Sequence, residues 1–165
     1  MSELSREKLC HVWLASSPSL GYKARRRLME AFGSAEAAFD GFSPDTKLLS
    51  GEKAWQELSK MRQMGLDKVA AALRRIGASV CVPGDEAFPE ILNNIIDPPD
   101  LLFYKGTLGR DLGSAIAVVG SRRETRHGRE QARRIARGLA ENGVAVVSGL
   151  ARGIDTAAHL AALKA

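Results

Sequence analysis

The last third of the chain repeats one pattern twice, and this repetition restricts the possible folds more than any other feature. A short apolar run ends near a glycine and is followed by an amphipathic segment of helical length. The pattern predicts strands over 115–119 and 144–147, and helices over 128–142 and from 154 onward. A helical crossover joins parallel strands, and continuous apolar runs are typical of strands buried on both faces. We therefore predict an α/β fold with a parallel sheet.

Two shorter apolar runs precede this pattern, over 78–82 and 101–104, with one or two helical turns between them at 89–96. We expect both runs to be strands that extend the same sheet. Such a sheet is normally continued by further strands, and Ala165 falls where the next one is due. The sequence is therefore expected to be an N-terminal fragment of a longer protein.

The first 77 residues have helical rather than extended periodicity. Helices are predicted over 4–15, 22–32 and 66–76, with shorter ones from Ser34 to Phe39 and over 53–61, and a loop over 41–51. We expect a small helical domain over 1–77, followed by an incomplete α/β domain over 78–165.

The positive charge of the chain is concentrated in its last third. The formal net charge is +5, but residues 1–104 carry 13 basic and 14 acidic side chains, whereas residues 105–165 carry 11 basic and five acidic ones. An anionic partner, nucleic acid or another phosphate ligand, is therefore expected there. The two cysteines, Cys10 and Cys81, are far apart and have no metal-ligand spacing, so we expect no metal site and no disulfide. No cofactor is expected either. With neither a secretory signal nor an apolar run of membrane-spanning length, a cytoplasmic location is expected.

Two glycine loops follow the predicted parallel strands. The first contains Gly120, Ser121 and Arg122, and the second runs over 148–155 and contains Arg152. Both should lie at the carboxyl edge of the sheet, where backbone amides and helix N-termini bind anions. Arg122 and Arg152 could then converge on one phosphate. The alternative is a pair of tight turns with surface arginines, in which the glycines serve backbone geometry.

Two further sets of residues in this region have a functional and a structural interpretation. Arg129, Arg133 and Arg137 recur every four residues, which suits either a track of phosphates or a solvated helix face. Asp155 and His159 could orient a general base, but no residue completes a catalytic set. We expect instead that Asp155 accepts hydrogen bonds from loop amides and that His159 packs against the loops.

In the helical domain, Ser19-Leu20-Gly21 opens a basic helix in the manner of a weak helix-hairpin-helix motif. Such a hairpin would offer amides and cations to a phosphate. The alternative is that it simply packs in the core of a helical bundle.

Four segments of the chain have a specific sequence: LMEAFGSAEAAF, FPEILNNIIDPPDLLFYKG, AIAVVGSRRETRHG and, most specific, VVSGLARGIDTAAHLAAL. Together they resemble the DNA-processing protein A family, also called DprA or Smf. The resemblance covers the whole chain and implies a sterile-alpha-motif-like helical domain before a Rossmann-like domain with a basic DNA-binding pocket. The positions that match this pocket, with Arg123 beside them, are Gly120, Ser121, Arg122, Ser148, Gly149, Arg152, Gly153 and Asp155. One departure is His127, where the family usually has a tyrosine.

The resemblance implies a binding protein rather than an enzyme: single-stranded DNA binding and loading of the RecA recombinase during natural transformation. It also implies a homodimer in the full-length protein. The alternative is a nucleotide-binding or nucleotide-hydrolysing enzyme on a related Rossmann-like fold, for which this sequence lacks the PGGxGT-type loop.

Overall fold

The computed structural model describes residues 4–108 and 113–165. Contacts between residues divide the chain into two compact units, residues 1–110 and residues 111–165. The boundary predicted after residue 77 lies within the first unit, and the domain assignment itself stays a prediction. Within the described ranges, no helix combines the length and apolar composition that crossing a bilayer requires.

The first unit begins with a helical bundle. Its helices are α1 (Arg6–Ala15), α2 (Tyr22–Phe32), α3 (Ala35–Asp40), α4 (Lys47–Ser50), α5 (Glu52–Met64) and α6 (Leu66–Ile76). The predicted helices are confirmed, with Ser34 capping α3 through the Ala37 amide as expected. The loop predicted over 41–51 is wrong in part, because it contains a 3-10 turn (Pro44–Thr46) and α4. Pro44 stands at the start of that turn, where its fixed φ favours helical geometry.

Trp13 lies at the centre of the bundle core. It is 1% exposed, and its indole Nε1 donates to the Leu58 carbonyl oxygen at 3.0 Å. Phe39 and Phe42 pack edge-to-face against its ring, with centroids 4.9 and 5.2 Å away. The core therefore joins α1, α3 and α5 around one satisfied aromatic side chain.

The strands β1 (Ser79–Cys81) and β2 (Leu102–Tyr104) pair with each other, antiparallel, in a sheet of their own. The expectation that they extend the parallel sheet is wrong. The segment between them contains Pro83, Pro89 and a 3-10 turn (Glu90–Asn94) but no crossover helix, so the chain reverses rather than crosses over. Val80 and Leu101 pack with apolar residues of α1 and α6, which places this sheet with the helical bundle.

The turn between α1 and α2 is held by a carboxylate of α5. Glu57 Oε2 accepts from the Ser17 hydroxyl at 2.6 Å and the Ser19 amide at 3.1 Å, and Oε1 accepts from the Ser19 hydroxyl at 2.8 Å. These hydrogen bonds hold the pKa of Glu57 below its ordinary value. The Ser19 donors of the suspected helix-hairpin-helix are thus bonded to a carboxylate, which favours the core-packing alternative.

The second unit is the predicted βαβα arrangement: β3 (Ala115–Ala117), α7 (Arg126–Glu141), β4 (Ala145–Val147) and α8 (Ile154–Ala162). β3 and β4 are parallel neighbours, with Ile116 opposite Val146. Val118 and Val146 pack against alanines of α7 and α8. Burial of the strands on both faces is wrong for the described residues, because Ile116 is 47% exposed and Val147, on the opposite face, is 44% exposed.

Replacing Glu57 with glutamine should destabilise the first unit at neutral pH, because a neutral amide accepts weaker hydrogen bonds than a carboxylate. The folded-state pKa of Glu57 is lowered, so its contribution is present above the unfolded value, about 4.3, and is lost as the pH falls through the folded value. The difference in unfolding free energy between wild type and Glu57→Gln should therefore shrink on acidification. Urea unfolding followed by tryptophan fluorescence measures it, since Trp13 and Trp55 both lie in this unit.

The matched control is Glu90→Gln, which changes an exposed carboxylate with no hydrogen bond to a described residue. A loss of stability equal for the two variants, or independent of pH, would contradict the role given to Glu57.

Candidate functional site

Two loops leave the same edge of the parallel sheet: the Gly120 loop (residues 118–125) after β3, and the Gly149 loop (residues 148–153) after β4. The strand pairing continues one step beyond β3, where the Val118 amide donates to the Val147 carbonyl oxygen at 2.9 Å. Neighbouring parallel strands bring their carboxyl ends together. The predicted adjacency of the two loops is therefore confirmed.

Hydrogen bonds join the two loops directly. The Ser148 hydroxyl donates to the Val118 carbonyl oxygen at 2.6 Å, and the Ile154 amide donates to the Ser121 carbonyl oxygen at 3.2 Å. One bond fixes the base of the Gly149 loop, and the other fixes its far end at the start of α8. The loops consequently form one continuous, hydrogen-bonded surface.

Asp155 lies beneath both loops. The residue is 5% exposed, and its Oδ1 accepts from the Gly120 amide at 3.2 Å. A methyl group added to Gly149 would lie 2.9 Å from its Oδ2. The expected hydrogen bond to a loop amide is present, so the carboxylate holds the Gly120 loop from inside and any part it plays in binding acts through the loops.

Two glycines are required by the close packing of the loops. A Cβ at Gly120 would lie 2.8 Å from the Ile154 side chain. Gly153 has φ +95°, and a Cβ there would lie 2.2 Å from the Ser121 carbonyl oxygen. Only glycine fits this approach. These glycines therefore serve backbone geometry, as the alternative interpretation proposed. The close approach that they permit aligns the two loops.

The outer surface of the loops is positively charged and rich in unused donors. Arg122, Arg123 and Arg152 are exposed, and none forms a salt bridge with a residue that the structure describes. The amides of Ser121 and Arg122 and of residues 149–153 likewise donate to no described residue. Both loops lead into helix N-termini, whose partial positive charge favours anions. This arrangement can bind phosphate oxygens through amides and guanidinium groups together.

Glu124 is a member of this site that the sequence reasoning missed. Its side chain is 11% exposed and pairs with Arg129, whose Nε lies 2.7 Å from Glu124 Oε1. A hydrogen bond from its own backbone amide and the bond from Arg129 lower the pKa of Glu124. The Glu-Arg pair thus removes Arg129 from the row of free arginines. A Cβ at Gly153 would lie 2.9 Å from Glu124 Oε2, and the sequence separation of these two residues gives no sign of this contact.

Leu150 was also missed, whereas His159 lies where we expected it. Leu150 is 79% exposed and has φ +55°, a left-handed conformation that non-glycine residues rarely adopt. Nothing in its sequence neighbourhood signals this. The His159 Nε2 lies 3.3 Å from the Ser148 carbonyl oxygen, so the imidazole supports the Gly149 loop.

Comparisons with known proteins agree with this architecture. Residues 79–165 match the protein family described as DNA recombination-mediator protein A. Over 80 residues the chain is 49% identical to the DNA processing protein DprA of Streptococcus pneumoniae, and this aligned region covers 48% of the chain and 28% of that protein. It is 36% identical to protein Smf of Borreliella burgdorferi over 112 residues, and this aligned region covers 67% of the chain and 36% of that protein.

A solved structure is similar over nearly the whole chain. The X-ray structure of DNA processing protein A (DprA) from Streptococcus pneumoniae matches with a TM-score of 0.63 at 29% identity, covering 98% of this chain and 55% of that one. The chain thus spans about half the length of the solved protein and about a third of the curated relatives. The predicted α/β, Rossmann-like fold with a helical part is confirmed.

Gly153→Ala should destabilise the second unit by about 2 kcal/mol or more, because the new Cβ meets the Ser121 carbonyl oxygen at positive φ. Gly138→Ala is the matched control: Gly138 lies in α7, a Cβ there meets nothing within 4 Å, and the change should stabilise by about 0.5–1 kcal/mol. Urea unfolding followed by far-ultraviolet circular dichroism compares the two. Equal effects of both substitutions would show that the loops do not approach as described.

Proposed function

Because the chain belongs to the DNA recombination-mediator protein A family, we propose that the protein processes DNA by binding a single strand at its two glycine loops. In this proposal the residues that line the site are Gly120, Ser121, Arg122, Arg123, Ser148, Gly149, Arg152 and Gly153, with Asp155 holding the loops together. The observation that carries the proposal is the surface where three arginines and a series of amides, none with a partner among the described residues, meet two helix N-termini.

The chemistry of this surface suits phosphates rather than bases. The sequence of residues 111–165 contains no phenylalanine, tryptophan or tyrosine, so aromatic stacking is not available in this unit. Guanidinium groups and backbone amides bind phosphate oxygens and carry no base information by themselves. Binding is therefore proposed to be largely independent of base sequence and strongly dependent on salt.

Binding, rather than catalysis, is the proposed activity of the site. The Asp155 carboxylate is buried against the Gly120 amide, and the His159 Nε2 lies against the Ser148 carbonyl oxygen. The two groups that the sequence suggested as a general base pair thus support the loops instead. The alternative, a nucleotide-hydrolysing enzyme on this fold, would need a base aimed at the ligand.

The finer role is proposed from the family description and from the relatives' names. A recombination mediator brings a recombinase to DNA, and we propose RecA as that recombinase, with incoming single strands in natural transformation as the substrate. The full-length protein is proposed to act as a homodimer in the cytoplasm.

Arg122→Ala and Arg152→Ala should each lower the affinity for a single-stranded oligothymidylate by about tenfold or more, because each removes a charge-assisted hydrogen bond to phosphate. The slope of log K against log salt should become shallower by about 0.7 for each phosphate that is no longer neutralised. Fluorescence anisotropy titrations of the intact protein at several salt concentrations measure both quantities.

Arg75→Ala is the control, since it removes an exposed arginine from α6, outside the proposed site. Circular dichroism should show that all three variants are folded. Wild-type affinity in folded Arg122→Ala and Arg152→Ala proteins would rule out the two loops as the binding site.

A further inference from the structure

A second cluster of cations lies away from the two loops, in a hollow between α7 and α8. The hollow has a volume of about 200 Å³ and is lined by Arg133, Arg137, Leu160, Ala161 and Lys164. The three cationic side chains belong to exposed residues, and none forms a salt bridge with a residue in the described ranges. The hollow therefore brings together three cationic side chains that form no salt bridge within the part of the chain that the structure describes.

One neighbouring arginine of α7 differs from this cluster by having a salt-bridge partner. Arg129, one turn earlier than Arg133, is paired with Glu124. Arg133 and Arg137 form no salt bridge with a described residue, with Glu130 three residues before Arg133 and Glu141 four residues after Arg137 on the same helix. Their guanidinium groups are therefore available to an anion that binds in the hollow. The structure thus distinguishes two members of the arginine row from the third, which the spacing alone could not do.

The position of the hollow relates it to the loops. α7 begins directly after the Gly120 loop and α8 directly after the Gly149 loop, and the two helices pack together. At about 1.5 Å per residue, Arg133 and Arg137 lie about 12 and 18 Å along α7 from its cap at Thr125. A nucleic acid strand bound at the loops could continue along the groove between the helices and reach these cations.

The walls of the hollow also suit a nucleotide. Leu160 is 49% exposed and Ala161 lies beside it, so an apolar surface adjoins the three cations. A phosphate can pair with the guanidinium groups while the apolar part of a sugar contacts the leucine. An acidic protein segment would use the charges but has no feature on this surface that favours it over the strand already proposed at the loops.

We infer that the hollow lined by Arg133, Arg137, Leu160 and Lys164 is a second phosphate subsite, which binds the same single strand beyond the two loops. This inference rests on the proposed function, and it assigns a longer path on α7 and α8 to the DNA. A strand too short to reach the hollow should bind through the loops alone.

The test compares two oligothymidylates, of about 4 and about 20 nucleotides, which bracket the sites that single-strand-binding folds occupy. Arg133→Ala and Arg137→Ala in the intact protein should each weaken binding of the longer strand by about three- to tenfold and reduce its salt slope by about 0.7. Affinity for the shorter strand should stay unchanged. Fluorescence anisotropy measures both strands under the same conditions.

Arg134→Ala is the matched control, because Arg134 is adjacent to Arg133, equally charged and exposed, and does not line the hollow. If Arg133→Ala and Arg134→Ala behave alike on the longer strand, the inference is wrong, and the hollow serves another partner or none. Equal weakening of both strands by Arg133→Ala also overturns it. These outcomes differ from those expected if the proposed function itself is wrong. In that case, the folded Arg122→Ala variant would bind with wild-type affinity, or the wild type would bind neither strand.

Discussion

The close approach of Gly153 to the Ser121 carbonyl oxygen is the constraint on which the candidate site depends. A side chain at this position would overlap that oxygen, so the Gly149 loop can lie on the Gly120 loop only because residue 153 lacks a Cβ. The Ile154 amide then reaches the same carbonyl, and Asp155, one residue later, reaches the Gly120 amide. One missing methyl group thus allows a series of contacts that fixes two helix N-termini beside each other. The exposed arginines are positioned by this series rather than by contacts of their own.

The two units use their polar groups in opposite ways. In the first unit, carboxylates of the protein occupy donors that could otherwise bind an anion: Glu57 bonds to the α1–α2 turn, and Glu7 accepts from the amides of Ala35 and Glu36 at the start of α3. In the second unit, Asp155 binds the Gly120 amide and Glu124 binds Arg129, but the amides of residues 149–153 and the guanidinium groups of Arg122, Arg123 and Arg152 have no partner among the described residues. Buried donors are normally satisfied, and donors left unsatisfied at a surface are available to a ligand. The contrast supports assigning the anion-binding function to residues 111–165.

The sequence predicts well those features that depend on neighbours along the chain. The limits of α2 and α6 follow from apolar periodicity ending at Gly33 and Gly77, and the βαβα order follows from two apolar runs separated by one amphipathic helix. The adjacency of the two loops could be predicted because the carboxyl ends of neighbouring parallel strands lie at the same edge of the sheet. Contacts that depend on tertiary packing cannot be predicted from such local patterns. The separate sheet of β1 and β2 depends on packing against α1 and α6, and the Glu124–Arg129 pair depends on where the Gly120 loop turns.

The mutual dependence of the two loops has a consequence for how such a protein can diverge. An insertion in either loop would move the Ser121 carbonyl or residue 153 and break the fit between them, so length changes in one are tolerated only with a compensating change in the other. Arg122, Arg123 and Arg152 point into solvent from this fixed frame and carry no such restriction. Substitutions at these surface positions can therefore change which anion is bound while the backbone of the two loops stays the same.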